Sequence, residues 1–125
     1  MSQDVVADVL NNIMNAKRRK KESIVVTHYS KFLLNVLELV KKEGYIKSFG
    51  VKNKELKIEL SEKINKCQAI KPRYFVDKEN IDKYVRRYLP ARNFGVLIVS
   101  TNKGLMTHKE AIDKKIGGCL IAYFY

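Results

Sequence analysis

The chain has 125 residues, 46% of them hydrophobic, and carries 25 Lys and Arg against 13 Asp and Glu, a net charge of +12. That length suits one compact domain or two small ones packed together, and it buries enough surface to need no disulfide or metal staple. So large a positive excess points to a polyanionic partner, nucleic acid ahead of an anionic membrane surface.

No run of 18 apolar residues is present, so no membrane-spanning helix is expected. The acids and the polar break in MSQDVVADVLNN do not fit a secretory signal. Cys67 and Cys119 have no second Cys or His at ligand spacing, and His28 and His108 are isolated. Neither a disulfide nor a metal site is expected, and no cofactor. Both cysteines read as neutral thiols in a reducing compartment.

In chain order, Ser2 is placed to cap a helix over residues 3–16, whose Val5, Val6, Val9, Leu10, Ile13 and Met14 form an apolar stripe. Five basic residues follow, Lys17 to Lys21. SIVVT (23–27) is β-branched and short, a strand. Ser30 caps a second helix, roughly 30–43, with Gly44 fitting the position just beyond its end. YIKSFGV and ELKIEL read as two strands joined by a turn near Asn53 and Lys54, the second alternating between a buried and a solvated face. The polar stretch SEKINK marks a boundary.

Beyond it CQAIKPRYFV reads as extended, Asp77 as the cap of a helix over 78–88, and Pro90 as its stop. FGVLIVS (94–100) reads as a strand buried on both faces. Thr107 and Glu110 form a T-x-x-E capping box opening a helix over 108–115. Gly117 and Gly118 end that helix, and CLIAYFY is a last strand. The expected fold is mixed α/β (α+β): two small packed domains, an N-terminal α-β-α-β-β unit over 1–62 and a C-terminal mixed sheet with helices over 63–125. The first half holds 12 basic and 8 acidic side chains, a net of +4; the second holds 13 and 5, a net of +8.

Residues 100–106 therefore read as a loop between a buried strand and a capped helix. Ser100, Thr101 and Asn102 offer short donors and acceptors, Lys103 a full charge, and Gly104 a place for close backbone approach. That set suits a phosphate, or sugar and base edges. The pattern G-x-x-x-x-G-K-[ST] is absent, which disfavours nucleotide hydrolysis. An enzyme would want paired titratable groups in one site, and His108 has no plain companion. No catalytic residue is expected.

FGVLIVSTNKGLMTHKEA followed by GGCLIAYFY resembles the signature of the small-subunit ribosomal protein S-eight family, a hydrophobic strand, Ser-Thr-Ser-x-Gly-x-Met-Thr/Ser, a helix, and Gly-Gly before a final strand. DVVADVLNNIMNA is similar to the family's opening helix, and SK with NVLELVKKEGYI to its second helix and following strand. INKCQAIKPRY and LPARNFG resemble the archaeal and eukaryotic branch. The resemblance spans essentially the whole chain. Asn102 stands where the family has Ser, Val5 where it has Pro, Gln68 where relatives often have Gly, and Ile112 where a basic residue is common.

The resemblance implies a two-domain, non-enzymatic, cytoplasmic protein of the small ribosomal subunit. It would bind a helix in the central domain of small-subunit rRNA and support platform assembly, beside neighbouring ribosomal proteins. It would be monomeric outside the ribosome, with no membrane and no small-molecule substrate. A small basic RNA-processing enzyme is the alternative. The candidate RNA contacts are Ser100, Thr101, Asn102, Lys103 and Gly104. Thr107 is a contact or a cap only, and Gly117 and Gly118 are close approaches to RNA or a turn only. Asn12, Asn15, Lys17 and Lys31 are the N-terminal candidates, with Lys17 to Lys21 tracking phosphates. Lys71 and Arg73 are further basic positions facing RNA or protein.

Overall fold

The computed structural model describes residues 5–70, 75–90 and 94–125. The caps expected from Ser2 and the contacts expected from Lys71 and Arg73 lie outside them. Twelve elements follow in order: α1 (Val5–Arg18), β1 (Ser23–Val26), α2 (Lys31–Lys42), β2 (Ile46–Lys52), β3 (Glu55–Leu60), β4 (Cys67–Ala69), β5 (Phe75–Val76), α3 (Ile81–Tyr88), β6 (Val96–Thr101), β7 (Gly104–Thr107), α4 (His108–Lys114) and β8 (Gly118–Phe124). The mixture of helices and antiparallel sheets is the α+β class expected.

In the first unit the apolar stripes decide the packing. Val6, Val9, Leu10 and Ile13 of α1 and Leu33, Val36, Leu37 and Val40 of α2 are buried. So are Leu56, Ile58 and Leu60, every second residue of β3. Each such side chain contributes about 1.5–3 kcal/mol on burial. The sheet runs β1-β3-β2, all antiparallel. Ser30 caps α2, its Oγ accepting the Leu33 N–H at 3.1 Å. At the end of α1, Lys20 turns left-handed (φ 59), and Lys21 N–H reaches Ala16 O at 2.9 Å, a helix-ending motif usually built on glycine.

The β2–β3 turn uses Asn53 (φ 53) and Lys54 (φ 63), both left-handed as a two-residue hairpin turn requires. Asn tolerates that conformation; Lys does so at a cost. Lys54→Gly is therefore expected to raise stability by about 0.5–1 kcal/mol. A urea midpoint unchanged from the parent would show that the turn holds no strain.

The chain divides into two compact units after Cys67. Ile64 is fully buried. Lys63 Nζ donates to Glu43 O at 2.8 Å and sits 4.8 Å from the Tyr45 ring centroid. Cys67 N–H lies 3.3 Å from Met14 Sδ. The polar crossing is thus tied to the first unit by contacts that its composition does not announce.

The second unit is a sheet ordered β4-β8-β6-β7, with β5 also pairing β8. Leu97, Val99, Met106, Leu120 and Tyr123 of the sheet pack with Ile81, Val85 and Leu89 of the α3 region and Ala111 of α4. Val96 to Val99 are all buried, as the continuous apolar run requires. Tyr123 and Phe124 belong to the packing: Tyr123 stacks on Tyr88 at 5.4 Å, and its hydroxyl donates to Gln68 Oε1 at 2.9 Å.

Two expectations need correction here. Helix α3 starts at Ile81 after Asn80, which makes no side-chain cap. Asp77 contributes only its carbonyl, accepting the Asn80 N–H at 3.0 Å, so residues 77–80 form a turn instead of helix. Helix α4 is ended by Lys115, left-handed at φ 57, before the glycines are reached. Pro90 does stop α3, and Leu89 before it is extended (φ −102, ψ 144).

Candidate RNA-binding interface

The opening of the site is a hairpin and not the open loop expected. Thr101 pairs with Gly104 and Ser100 with Leu105, so only Asn102 and Lys103 lie outside the ladder. The reversal is braced by one side chain. Thr101 Oγ1 donates to Gly104 O at 2.8 Å and accepts the Lys103 N–H at 3.1 Å. Gly104 takes φ 107, where a side chain is strained whatever the space around it. Asn102, Lys103 and Gly104 are exposed, and Ser100 and Thr101 half-buried. The tip therefore presents an amide, an ammonium and bare backbone on a rigid support.

The hairpin also separates this tip from the α4 N-terminus by the length of β7. No helix dipole acts on a ligand at Asn102, contrary to the reading of 100–106 as a pre-helical loop. Thr107 is at the far end. It is 1% exposed, and its hydroxyl accepts the Glu110 N–H at 3.3 Å, which is the expected cap.

His108 beside it is 3% exposed, and its Nδ1 accepts the Leu97 N–H at 3.1 Å. Strand β7 ends at Thr107, which leaves that donor of β6 without a strand partner; the imidazole supplies one. Burial, then the neighbouring Lys109 charge, push its pKa down to about 4, against a smaller upward pull from Asp82. A neutral, hydrogen-bonded, buried ring is a structural element, not a general base.

Gly117 is half-buried and Gly118 buried, each close against another segment of backbone. A Cβ on Gly117 would run into Val76 O and lie 3.0 Å from Asp77 Cα; one on Gly118 would run into Ser100 O. Both glycines admit close backbone approach, but the approaching backbone is the protein's own.

In the first unit, α1 and β1 enclose two adjoining grooves. One, of about 380 Å³, is lined by Asn12, Asn15, Arg19, Lys21 and Ser23 to Val25. The other, of about 490 Å³, shares Asn12 and adds Asp8, Val9, Thr27 and His28. Asn12 and Asn15 lie on one face of α1, and Arg19, just past its end, continues the spacing with its N–H on Asn15 O at 3.1 Å. Lys17 lies off that face. Its Nζ donates to Glu62 O at 3.3 Å, and it lines a separate depression with Lys20, Lys47 and Glu62. Lys31 is exposed on the first turn of α2 and lines neither groove.

Among the described residues no group of three His, Cys, Asp or Glu could hold a metal, and no helix is long and apolar enough to cross a membrane. Both cysteines are free. Cys67 is buried, which pushes its thiol up to about 12, and Cys119 is half-buried.

A family model described as ribosomal protein S8 matches residues 4–125. The chain belongs to the ribosomal protein S8 family. It is 45% identical to the small ribosomal subunit protein uS8 of Nanoarchaeum equitans and 43% identical to that of Picrophilus torridus, each match covering both chains completely. It is 39% identical to the small ribosomal subunit protein uS8A of Schizosaccharomyces pombe, over 98% of each chain. The similarity to archaeal and eukaryotic relatives agrees with the branch that INKCQAIKPRY suggests.

Ribosomal protein S8 is a structural family and not one of enzymes, in keeping with the buried, neutral His108. Within this family member, the sequence picked out the hairpin tip but not its bracing. It named Asn12, Asn15 and the basic run Lys17 to Lys21; of that run Arg19 and Lys21 line the groove with the two asparagines, and Lys17 lines the neighbouring depression. The helical spacing from Asn12 through Asn15 to Arg19 was the available signal.

Proposed function

We infer that this chain is a structural constituent of the small ribosomal subunit, in the cytoplasmic ribosome. It binds there to a helix in the central domain of small-subunit rRNA and supports platform assembly. The observation that carries the RNA reading is the β6–β7 tip. Thr101 locks the turn, and Asn102, Lys103 and Gly104 stand exposed on it, with Ser100 at its base.

A-form RNA keeps its bases in a deep, narrow groove, so proteins meet its shallow groove, its 2′-hydroxyls and its unstacked bases. Short polar groups on a braced turn fit that target. Ser100 and Asn102 contact ribose or base edges, Lys103 meets phosphate, and Gly104 lets backbone come close. The Thr101 hydroxyl is spent on the turn, so it acts chiefly by holding Asn102 in place. A second contact comes from Asn12, Asn15, Arg19 and Lys21 in the α1–β1 groove, where amides face ribose and cations face phosphate. Lys17 and Lys31 add charge nearby on their own elements. The remaining partners are neighbouring small-subunit proteins, and the free chain is a monomer without membrane or small-molecule ligands.

The test is a titration of the protein against a hairpin copied from the central domain of its own small-subunit RNA, at two salt concentrations. Native hairpin should bind more tightly than a scrambled one, and salt should weaken both. Asn102→Ala should lose about tenfold on the native hairpin only, the value of one or two hydrogen bonds. Lys103→Ala should weaken both hairpins alike and flatten the salt dependence. Equal binding to native and scrambled hairpins would overturn the reading of the tip.

A further inference from the structure

The pairing registers align four strands at a single rung. Phe75 on β5 faces Cys119 on β8, Cys119 faces Ser100 on β6, and Ser100 faces Leu105 on β7. Residues directly opposite one another on antiparallel strands share a sheet face, so these four side chains make one row. At the next rung Val99, Met106 and Leu120 belong to the helix-covered core, which places the row on the other face. Leu105, Ser100 and Cys119 are half-buried. Phe75 is 86% exposed, an apolar ring fixed by strand pairing yet left in solvent.

We propose that Phe75 is a stacking platform for an unpaired nucleobase of the RNA engaged by the β6–β7 tip, with Cys119 and Ser100 forming the floor between ring and tip. This rests on the RNA reading of that tip. Two strand spacings separate Phe75 from Ser100, about 10 Å, a gap that neighbouring unstacked nucleotides bridge.

A phenyl ring has a π face and no donors, so it takes the face of a base and is indifferent to which base it is. A protein partner is the poorer fit. A stable protein interface needs roughly 800 Å² on each side. The other exposed large apolar residues of this unit among those described, Phe94 and Ile112, lie off this rung. One ring over a Ser and Cys floor suits one base, and the +8 charge of residues 63–125 favours a polyanion.

The chain contains no tryptophan, so Phe75→Trp introduces a unique fluorophore at the proposed platform. Because the ring is already in solvent, Phe75→Ala leaves folding unchanged, and a urea midpoint equal to the parent's verifies it. With the full chain and the same hairpin RNA, Phe75→Trp should keep the parent affinity. Its emission should be quenched at the midpoint seen by gel shift. Phe75→Ala should bind about 5- to 100-fold more weakly. Bound RNA should also slow alkylation of Cys119 by iodoacetamide, Cys67 being buried.

Unquenched emission on a gel-shifted complex, with Phe75→Ala within twofold of the parent, would overturn the proposal. If Asn102→Ala remained weak in that case, only the Phe75 assignment would fall, and the ring would be left to a protein neighbour. If Asn102→Ala were harmless as well, the RNA reading of the tip would fall with it.

Discussion

Alanine in place of Gly118 is expected to destabilise the chain by about 3 kcal/mol, at the upper end of overpacking costs. The added Cβ would drive into Ser100 O and come within 3.0 Å of both Ser100 C and Thr101 Cγ2. The obstacle is backbone on a paired strand, which cannot rotate aside as a side-chain end can. Relief would have to come from shifting β6 beside the hairpin, so affinity for the hairpin RNA should fall along with stability. Gly50→Ala is the matched control: nothing lies within 4 Å of its Cβ and its φ is not left-handed, so little change is expected. Urea unfolding followed by circular dichroism gives both midpoints. A Gly118→Ala midpoint equal to that of Gly50→Ala would mean that the close approach of β8 to β6 is not a constraint.

The pH dependence of stability should show His108. Its pKa is near 4 in the folded chain and about 6.5 when unfolded, so the unfolded state takes up the proton first. The stabilisation from keeping the ring neutral is fully present above pH 6.5. It is lost progressively as pH falls toward 4, for a total of about 3 kcal/mol. Protonation at Nδ1 also removes the acceptor for the Leu97 N–H. His108→Asn keeps a short acceptor without a titrating group and should flatten the profile between pH 6.5 and 4. His108→Phe should cost about 1–3 kcal/mol at pH 7, because a buried N–H is left unsatisfied. A parent profile that stays flat across that window, or that loses the same amount with Asn at 108, would remove His108 from the account.

Local patterns were legible wherever one residue's neighbours in sequence are also its neighbours in space. The α1 and α2 stripes, the Ser30 cap, the alternation in β3, the turn near Asn53 and Lys54, and the Thr107 cap all depend on spacings of two to four residues. Composition fixed the charge, and the ordered motifs fixed the family, because a whole chain of matching spacings does not arise from packing alone.

Other features were decided by segments far apart in sequence. Ser-Thr-Asn-Lys-Gly has the composition of a loop; pairing with β7 and the Thr101 hydroxyl make it a braced hairpin. Asp77 has the chemistry of a cap, yet the turn over 77–80 uses its carbonyl. Lys20, Lys54 and Lys115 occupy left-handed positions that propensity would give to Gly or Asn, because helix ends and a hairpin turn outweigh their strain.

The division between sequence and tertiary structure is therefore physical. The sequence by itself determined most of the helices and strands, though not β7, together with the net positive charge and the family, since periodicity and charge act locally or in sum. Only the tertiary structure decided that Gly118 meets Ser100, that His108 completes the β6 ladder, that Asn12 and Asn15 share a groove with Arg19 and Lys21, and that Phe75 stands on the same rung as the hairpin. Those relations come from strand register and side-chain packing between distant segments, and they exist only once the chain has folded.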